Sequence, residues 1–202
     1  MRARLRFFPV LGLYGALVSA CASTPTHEQI QAAFDAGIKN YDSGDYKAAY
    51  ENWKTIDDED LAAMRNVALM LRKGEGVEKN PKAAQAKMEQ AASAGLATAQ
   101  AALAEMLLKG EAGPPDPKAA VPWLALAADA GHPLAAFELG QLYEQGTVIK
   151  QNIETARKLY KLAASAGVAG AAERLKALPP EPGAAGQTSA GPPPALRALT
   201  AP

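Results

Sequence analysis

Ala135-Ala136-Phe137-Glu138-Leu139-Gly140-Gln141-Leu142-Tyr143-Glu144-Gln145-Gly146 decides the fold of this chain. Apolar side chains recur along it at helical spacing and a glycine closes it, the pattern of an amphipathic helix. The stretch is the last of three copies. At a fixed interval of 36 residues, with no insertion, Ala63, Ala99 and Ala135 open a unit. The apolar series Val67/Leu103/Leu139 and Leu71/Leu107/Tyr143 follows, and Gly74, Gly110 and Gly146 end the first helix. Internal repetition of this period changes the reading of the whole chain.

A second helix completes each unit. Asn80, Asp116 and Asn152 are placed to cap it through their side-chain oxygens, and Pro81 and Pro117 take the first helical position in two copies. It carries Ala84, Ala120 and Ala156 at equivalent positions, and Gly95, Gly131 and Gly167, which can take the left-handed conformation, end it. A single hairpin of this kind cannot bury its apolar faces, whereas stacked hairpins share a continuous core. The predicted fold is therefore all-α, a short α-solenoid of helix-turn-helix repeats with a 36-residue period over residues 61–168. Pro122 falls inside the second helix of the middle unit, which predicts a kink or a delayed start there.

Outward from the repeats the pattern changes. Ala33-Phe34 through Tyr41, then Gly44-Asp45-Tyr46, Ala48-Ala49 and Trp53, predict one more hairpin over residues 26–60 with a shorter turn. Residues 169–178 restart a first helix, with Ala171 and Leu175 in phase, and read as a C-terminal cap. Residues 179–202 contain seven prolines and three glycines and few large apolar side chains, the composition of a disordered tail.

The pattern Ala-x3-Leu-Gly-x2-Tyr-x2-Gly, written in full by Ala135, Leu139, Gly140, Tyr143 and Gly146, resembles the Sel-one-like repeat, a relative of the tetratricopeptide repeat. Lys118-Ala119, Trp123, Ala127-Ala128 and Gly131 continue the motif, while Gly113-Pro114-Pro115 departs from it in the connecting loop. The hairpin over 26–60 is similar to a tetratricopeptide unit. In such arrays one face of the first helices lines a concave groove. On this chain the resemblance assigns that face to Arg65, Leu69 and Arg72, then Ala101, Glu105 and Leu108, then Phe137, Gln141 and Glu144. Arg65 and Arg72 are suited to grip a carboxylate there. What the resemblance implies is a non-enzymatic adaptor that binds an envelope protein or peptide.

The N-terminus supplies a location. Arg2, Arg4 and Arg6 precede an apolar run from Phe7 to Val18, and no acidic residue occurs before Cys21, the only cysteine. The run has signal-peptide length and is short for a membrane span. Val18-Ser19-Ala20-Cys21 resembles a lipoprotein lipobox, which implies removal of residues 1–20 and acylation of Cys21 by an S-diacylglycerol and an N-acyl chain. Two or more chains anchor a protein stably. Ala22 is not the aspartate that retains such proteins in the inner membrane, so the resemblance points to the periplasmic face of the outer membrane. Residues 21–25 form a tether holding the first helix within about 20 Å of the membrane at roughly 3.5 Å per residue.

Charge and chemistry narrow the function further. The whole chain balances 21 basic against 21 acidic side chains, and loss of the leader's three arginines leaves 18 against 21. Nothing in this balance invites nucleic acid. His27 lacks the second histidine of a zinc-protease helix, and His132 sits at a repeat junction where the other copies have Leu96 and Val168. No serine stands in a nucleophile motif. Asp57-Asp58-Glu59-Asp60 reads as a solvated turn. No catalytic residue, metal ligand or cofactor is expected. A second reading, a peptidoglycan-associated factor or a β-lactam-binding cell-wall enzyme, draws on cysteine-rich relatives whose paired cysteines this chain lacks.

Overall fold

A computed structural model describes residues 24–180. The expected leader, Cys21 and the tail beyond Pro180 lie outside the described residues. Among these there are nine α-helices and no strand. They are α1 (His27–Asp42), α2 (Tyr46–Lys54), α3 (Leu61–Lys73), α4 (Pro81–Ser93), α5 (Ala97–Lys109), α6 (Pro117–Asp129), α7 (Pro133–Gln145), α8 (Ile153–Ser165) and α9 (Ala171–Ala177). Each helix packs on its sequence neighbours, so the array is a solenoid, as the period predicts.

The capping residues explain why the helices start where they do. Asn80, Asp116 and Asn152 accept from the backbone N–H of Ala83, Ala119 and Thr155 at 3.0, 2.9 and 3.0 Å. At the N-terminus Thr26 and Gln29 form a reciprocal capping box. Gly74, Gly110 and Gly146 end α3, α5 and α7 at φ of 82°, 68° and 68°, a conformation in which a β-carbon is strained. The Pro122 expectation is corrected in part: α6 begins without delay at Pro117 under the Asp116 cap and continues through Pro122 to Asp129. One lost hydrogen bond near the first turn is tolerated where the cap already fixes the backbone.

The core is built from one small and one large residue across each hairpin. In the first two repeats Ala68 shares a cluster with Met88, and Ala104 with Leu124. In the third the small partner is Gly140 and the large one Tyr160. The N-terminal hairpin repeats the device with Gly37 under the indole of Trp53, whose Nε1 donates to the Phe34 carbonyl at 3.2 Å. Burial of each large side chain stabilises by about 1.5–3 kcal/mol. The alanines on the first helices let the axes approach, and all four large residues are buried.

Two features seal the ends. Asp57 is 1 % exposed and is paired with Lys54 at 3.0 Å and Lys87 of α4 at 2.6 Å, fastening the N-terminal hairpin to the first repeat. This corrects the reading of residues 57–60 as wholly solvated. Asp60 is also structural, capping α3 through Ala63 N–H at 2.7 Å. At the other end α9 and Leu178 cover Tyr160 and Phe137.

Candidate functional site

Side chains of the first helices α3, α5 and α7 line one hollow. Arg65 on α3 and Glu138 on α7 line the same hollow although α5 stands between their helices, so this face is concave. The hollow has a volume of about 160 Å³. Its floor is Ala101 and Ala102, its rim includes Thr98, Glu105, His132 and Leu134, and Leu134 is 49 % exposed. A second hollow of about 270 Å³ lies toward the N-terminus, where Leu69 meets Ile38, Tyr41, Trp53, Asn66 and Met70.

The charges of the first hollow are incompletely matched. Arg65 is partly buried, and burial lowers its affinity for its proton. Its Nε is buried and has no hydrogen-bond partner, and Nη1 reaches only Asn66 Oδ1 at 3.4 Å. Glu138 is also partly buried, and burial, then the charge of Glu105, raises its pKa. His132 caps α7 by accepting from Ala135 N–H at Nδ1, 3.3 Å away, which leaves the proton of the neutral ring on Nε2. Burial, followed by the nearby Arg65 charge, pushes the His132 pKa down.

The other residues expected to line the groove are more committed. Arg72 holds Glu111 in a two-pronged pair, Nε to Oε2 and Nη2 to Oε1 at 2.5 Å each, and reaches Glu105 at 3.1 Å. Its hydrogen bonds, led by Glu111, raise its pKa further despite burial. Arg72 is therefore an inter-repeat clamp with its fork already filled. Glu105 is shared with Lys109 at 2.5 Å. Leu108 packs into the middle core, and Gln141 is partly buried. Phe137 turns its ring onto Tyr160, centroids 5.7 Å apart, and closes against the cap. Glu144 accepts from the Tyr160 hydroxyl at 2.5 Å and faces Arg174 at 3.5 Å.

His132, Leu134 and Glu138 are functional candidates that the sequence reading passed over. The signal for His132 was present: it is the one polar member of the series Leu96, His132, Val168. Glu138 stands where the preceding repeats place Asn66 and the buried Ala102. Among the described residues no cluster of three or more histidine, cysteine or acidic side chains is placed to hold a metal ion.

Comparison with known families settles the class. The Sel1 repeat pattern matches residues 61–96, 97–132 and 133–168, more than half of the chain. The chain belongs to the Sel1 repeat family. Among solved structures it is similar to a Sel1 repeat protein from Oxalobacter formigenes, with 29 % identity, a TM-score of 0.66, and coverage of 70 % of this chain and 58 % of that one. It is also similar in fold to a protective antigen of uropathogenic Escherichia coli strains that displays an SLR fold, with 24 % identity, a TM-score of 0.66, and coverage of 72 % and 32 %. The chain thus spans less than two thirds of the length of either. No curated protein matches it significantly.

In these terms the hollow belongs to three Sel1 repeats at once. Repeat one gives Arg65, repeat two gives Thr98, Ala101, Ala102, Glu105 and His132, and repeat three gives Leu134 and Glu138. The Arg72 clamp joins the first two Sel1 repeats at the adjoining edge.

Proposed function

We propose that this Sel1 repeat protein is a non-enzymatic adaptor that holds a partner polypeptide on the concave face of its first helices and keeps it at the cell envelope. Sel1 repeat arrays generally mediate protein–protein contacts and are typically non-catalytic scaffolds. The observation that carries the reading is the hollow spanning α3, α5 and α7, which combines an exposed leucine with an arginine and a glutamate that have no ion-pair partner among the described residues. Surfaces of a protein alone rarely keep partly buried charges without partners, because desolvation costs free energy that no pairing returns.

The location rests on the leader and on Cys21 as a lipid anchor at the periplasmic face of the outer membrane. Among the described residues no helix is long and apolar enough to cross a membrane. Acylation at Cys21 would supply the attachment. Cys21→Ala should move the protein from the membrane fraction to the soluble one; retention in the membrane would exclude the anchor.

Site-specific photo-crosslinking in living cells tests the groove. A photoreactive residue at Leu134, on the concave face, is compared with one at Leu126 of α6, also 49 % exposed but outside the hollow. A discrete protein adduct from position 134 alone is the expected result. Equal smears from both positions, or no adduct from either, would overturn the groove assignment.

A further inference from the structure

We infer that the slot between α4 and the loop after α5 is a second docking site. It takes a branched aliphatic side chain of a partner polypeptide that runs extended across it, with an acidic residue toward Lys82 and a basic one toward Glu89. The slot shares no lining residue with the hollow around Arg65, so the inference goes beyond the reading of the concave face.

The middle repeat lacks a plug that its neighbours have. One position in the loop between paired helices holds Val77 in the first repeat, Gly113 in the second and Ile149 in the third. Val77 shares a cluster with Ala49, Tyr50 and Trp53 of α2, and Ile149 shares one with Val121 and Ala125 of α6. The first loop also lies hard against α2, where a β-carbon on Gly76 would collide with the Tyr46 carbonyl. A β-carbon on Gly113 would meet nothing within 4 Å. The space left open between this loop and α4 has a volume of about 500 Å³, inside the range of roughly 300–1,000 Å³ found for ligand sites.

The flanking repeats and the walls define the occupant. Both neighbours fill the position with a branched aliphatic side chain, so the missing group is of that class. Met106 and Leu107 give the slot an apolar side, and Pro114 and Pro115 stiffen another. Lys82, Gln85, Ala86 and Glu89 recur at i, i+3, i+4 and i+7, so α4 turns one stripe toward the slot. Where α6 offers Val121 and Ala125 to Ile149, this stripe carries Gln85 and Glu89. Gln85 Nε2 donates to Glu89 Oε1 at 3.0 Å, which leaves the second carboxylate oxygen for a cation. Lys82 and Glu89 put opposite charges about 10 Å apart at 1.5 Å per residue. An extended chain sets residues i−2, i and i+2 on one face over roughly 13 Å, so an acid, an aliphatic and a base at alternate positions match the slot. The exposed charges set direction, and the inserted apolar group carries the affinity.

The test is nuclear magnetic resonance of the Met106 and Leu107 methyl groups in the purified protein, titrated with three probes. They are acetyl-Ser-Asp-Thr-Ile-Thr-Lys-Ser amide, the same peptide with serine in place of isoleucine, and the same peptide with aspartate and lysine exchanged. The first is expected to give saturable shifts, the serine probe none, and the exchanged probe binding about twofold weaker. Gly113→Ile supplies the plug from the chain itself, at a backbone position outside the left-handed region and before a proline, where branched residues fit. It should weaken the first probe by about tenfold or more. Ala86→Leu fills the slot from the opposite wall and should act in the same direction, and a melting curve of each variant confirms that it is folded. No saturable shift, equal shifts from the isoleucine and serine probes, or undiminished binding by the folded variants would overturn the inference. Equal binding of the exchanged probe would overturn the assignment of Lys82 and Glu89. A negative result at Leu134 in cells leaves these outcomes unaffected, because the two sites have separate walls.

Discussion

Gly140 and Tyr160 occupy one space between them: a β-carbon on Gly140 would stand 2.8 Å from Tyr160 Cε1. The glycine of the repeat motif is thus a packing residue, set by the aromatic ring on the opposite helix. Ala104 with Leu124 solves the same problem one repeat earlier with a larger small partner and a smaller large one. Gly140→Ala is therefore expected to destabilise by about 1–3 kcal/mol, the cost of overpacking a filled core, although alanine favours the helix itself. Combining it with Tyr160→Leu should cost less than the sum of the two single changes. Chemical denaturation of the two singles and the double gives the coupling directly, and strict additivity would refute the shared space.

Asp57 is the fastening between the N-terminal hairpin and the repeats. Asp57→Ala leaves Lys54 and Lys87 without their common partner, and Lys87 is the less exposed of the two. Complete loss of a buried partner costs about 3–5 kcal/mol, and the partial exposure of these lysines reduces the expectation to about 2 kcal/mol. Hydrogen exchange should show the loss concentrated in α1 and α2. Uniform loosening of all helices would contradict a local fastening.

The clamp at Arg72 gives stability an acid edge. The hydrogen bond from Arg72, the largest influence, holds the Glu105 carboxyl below its ordinary value, outweighing burial. A carboxyl with a depressed folded-state pKa contributes stability above its unfolded value of about 4.3 and loses it as the pH falls through the lower folded one. Arg72→Lys, which cannot make the fork, should lower stability at neutral pH and flatten this part of the profile. Thermal melting between pH 6 and pH 3 measures it, and a parallel profile in the variant would argue against the clamp.

His132 acts in a different window with the opposite chemistry. Burial and Arg65 hold its folded-state pKa below the unfolded value of about 6.5. Protonation therefore favours the unfolded chain, and stability present above about pH 6.5 is lost as the pH falls toward the depressed folded value. Protonation also removes the Nδ1 acceptor that caps α7. His132→Asn keeps a capping oxygen and carries no titratable proton, so it should abolish this step and leave the lower Glu105 step intact. A step that survives in the variant would belong to another group.

The repeat was legible because it depends on local rules applied three times. Helical spacing, side-chain caps at Asn80, Asp116 and Asn152, and glycines at Gly74, Gly110 and Gly146 all act within a few residues of themselves. Relations between units were not legible. Asp57 looks solvated until Lys87, on a helix far along the chain, folds onto it. Arg72 looks available until the loop after α5 brings Glu111 to it. Phe137 has the repeat position of Arg65 and Ala101, yet it is followed by α9 in place of another full unit, and its ring turns into that cap. Sequence periodicity treats equivalent positions alike, whereas the ends of a finite array break the equivalence.

The hollow around Arg65 is enclosed by the first helices of three consecutive units, and this makes repeat number a threshold quantity. Two units would supply an arginine and a floor with no opposite wall; a third completes the enclosure in a single step. The three units follow one another without insertion. The hollow at this place therefore exists only where three such units stand in succession.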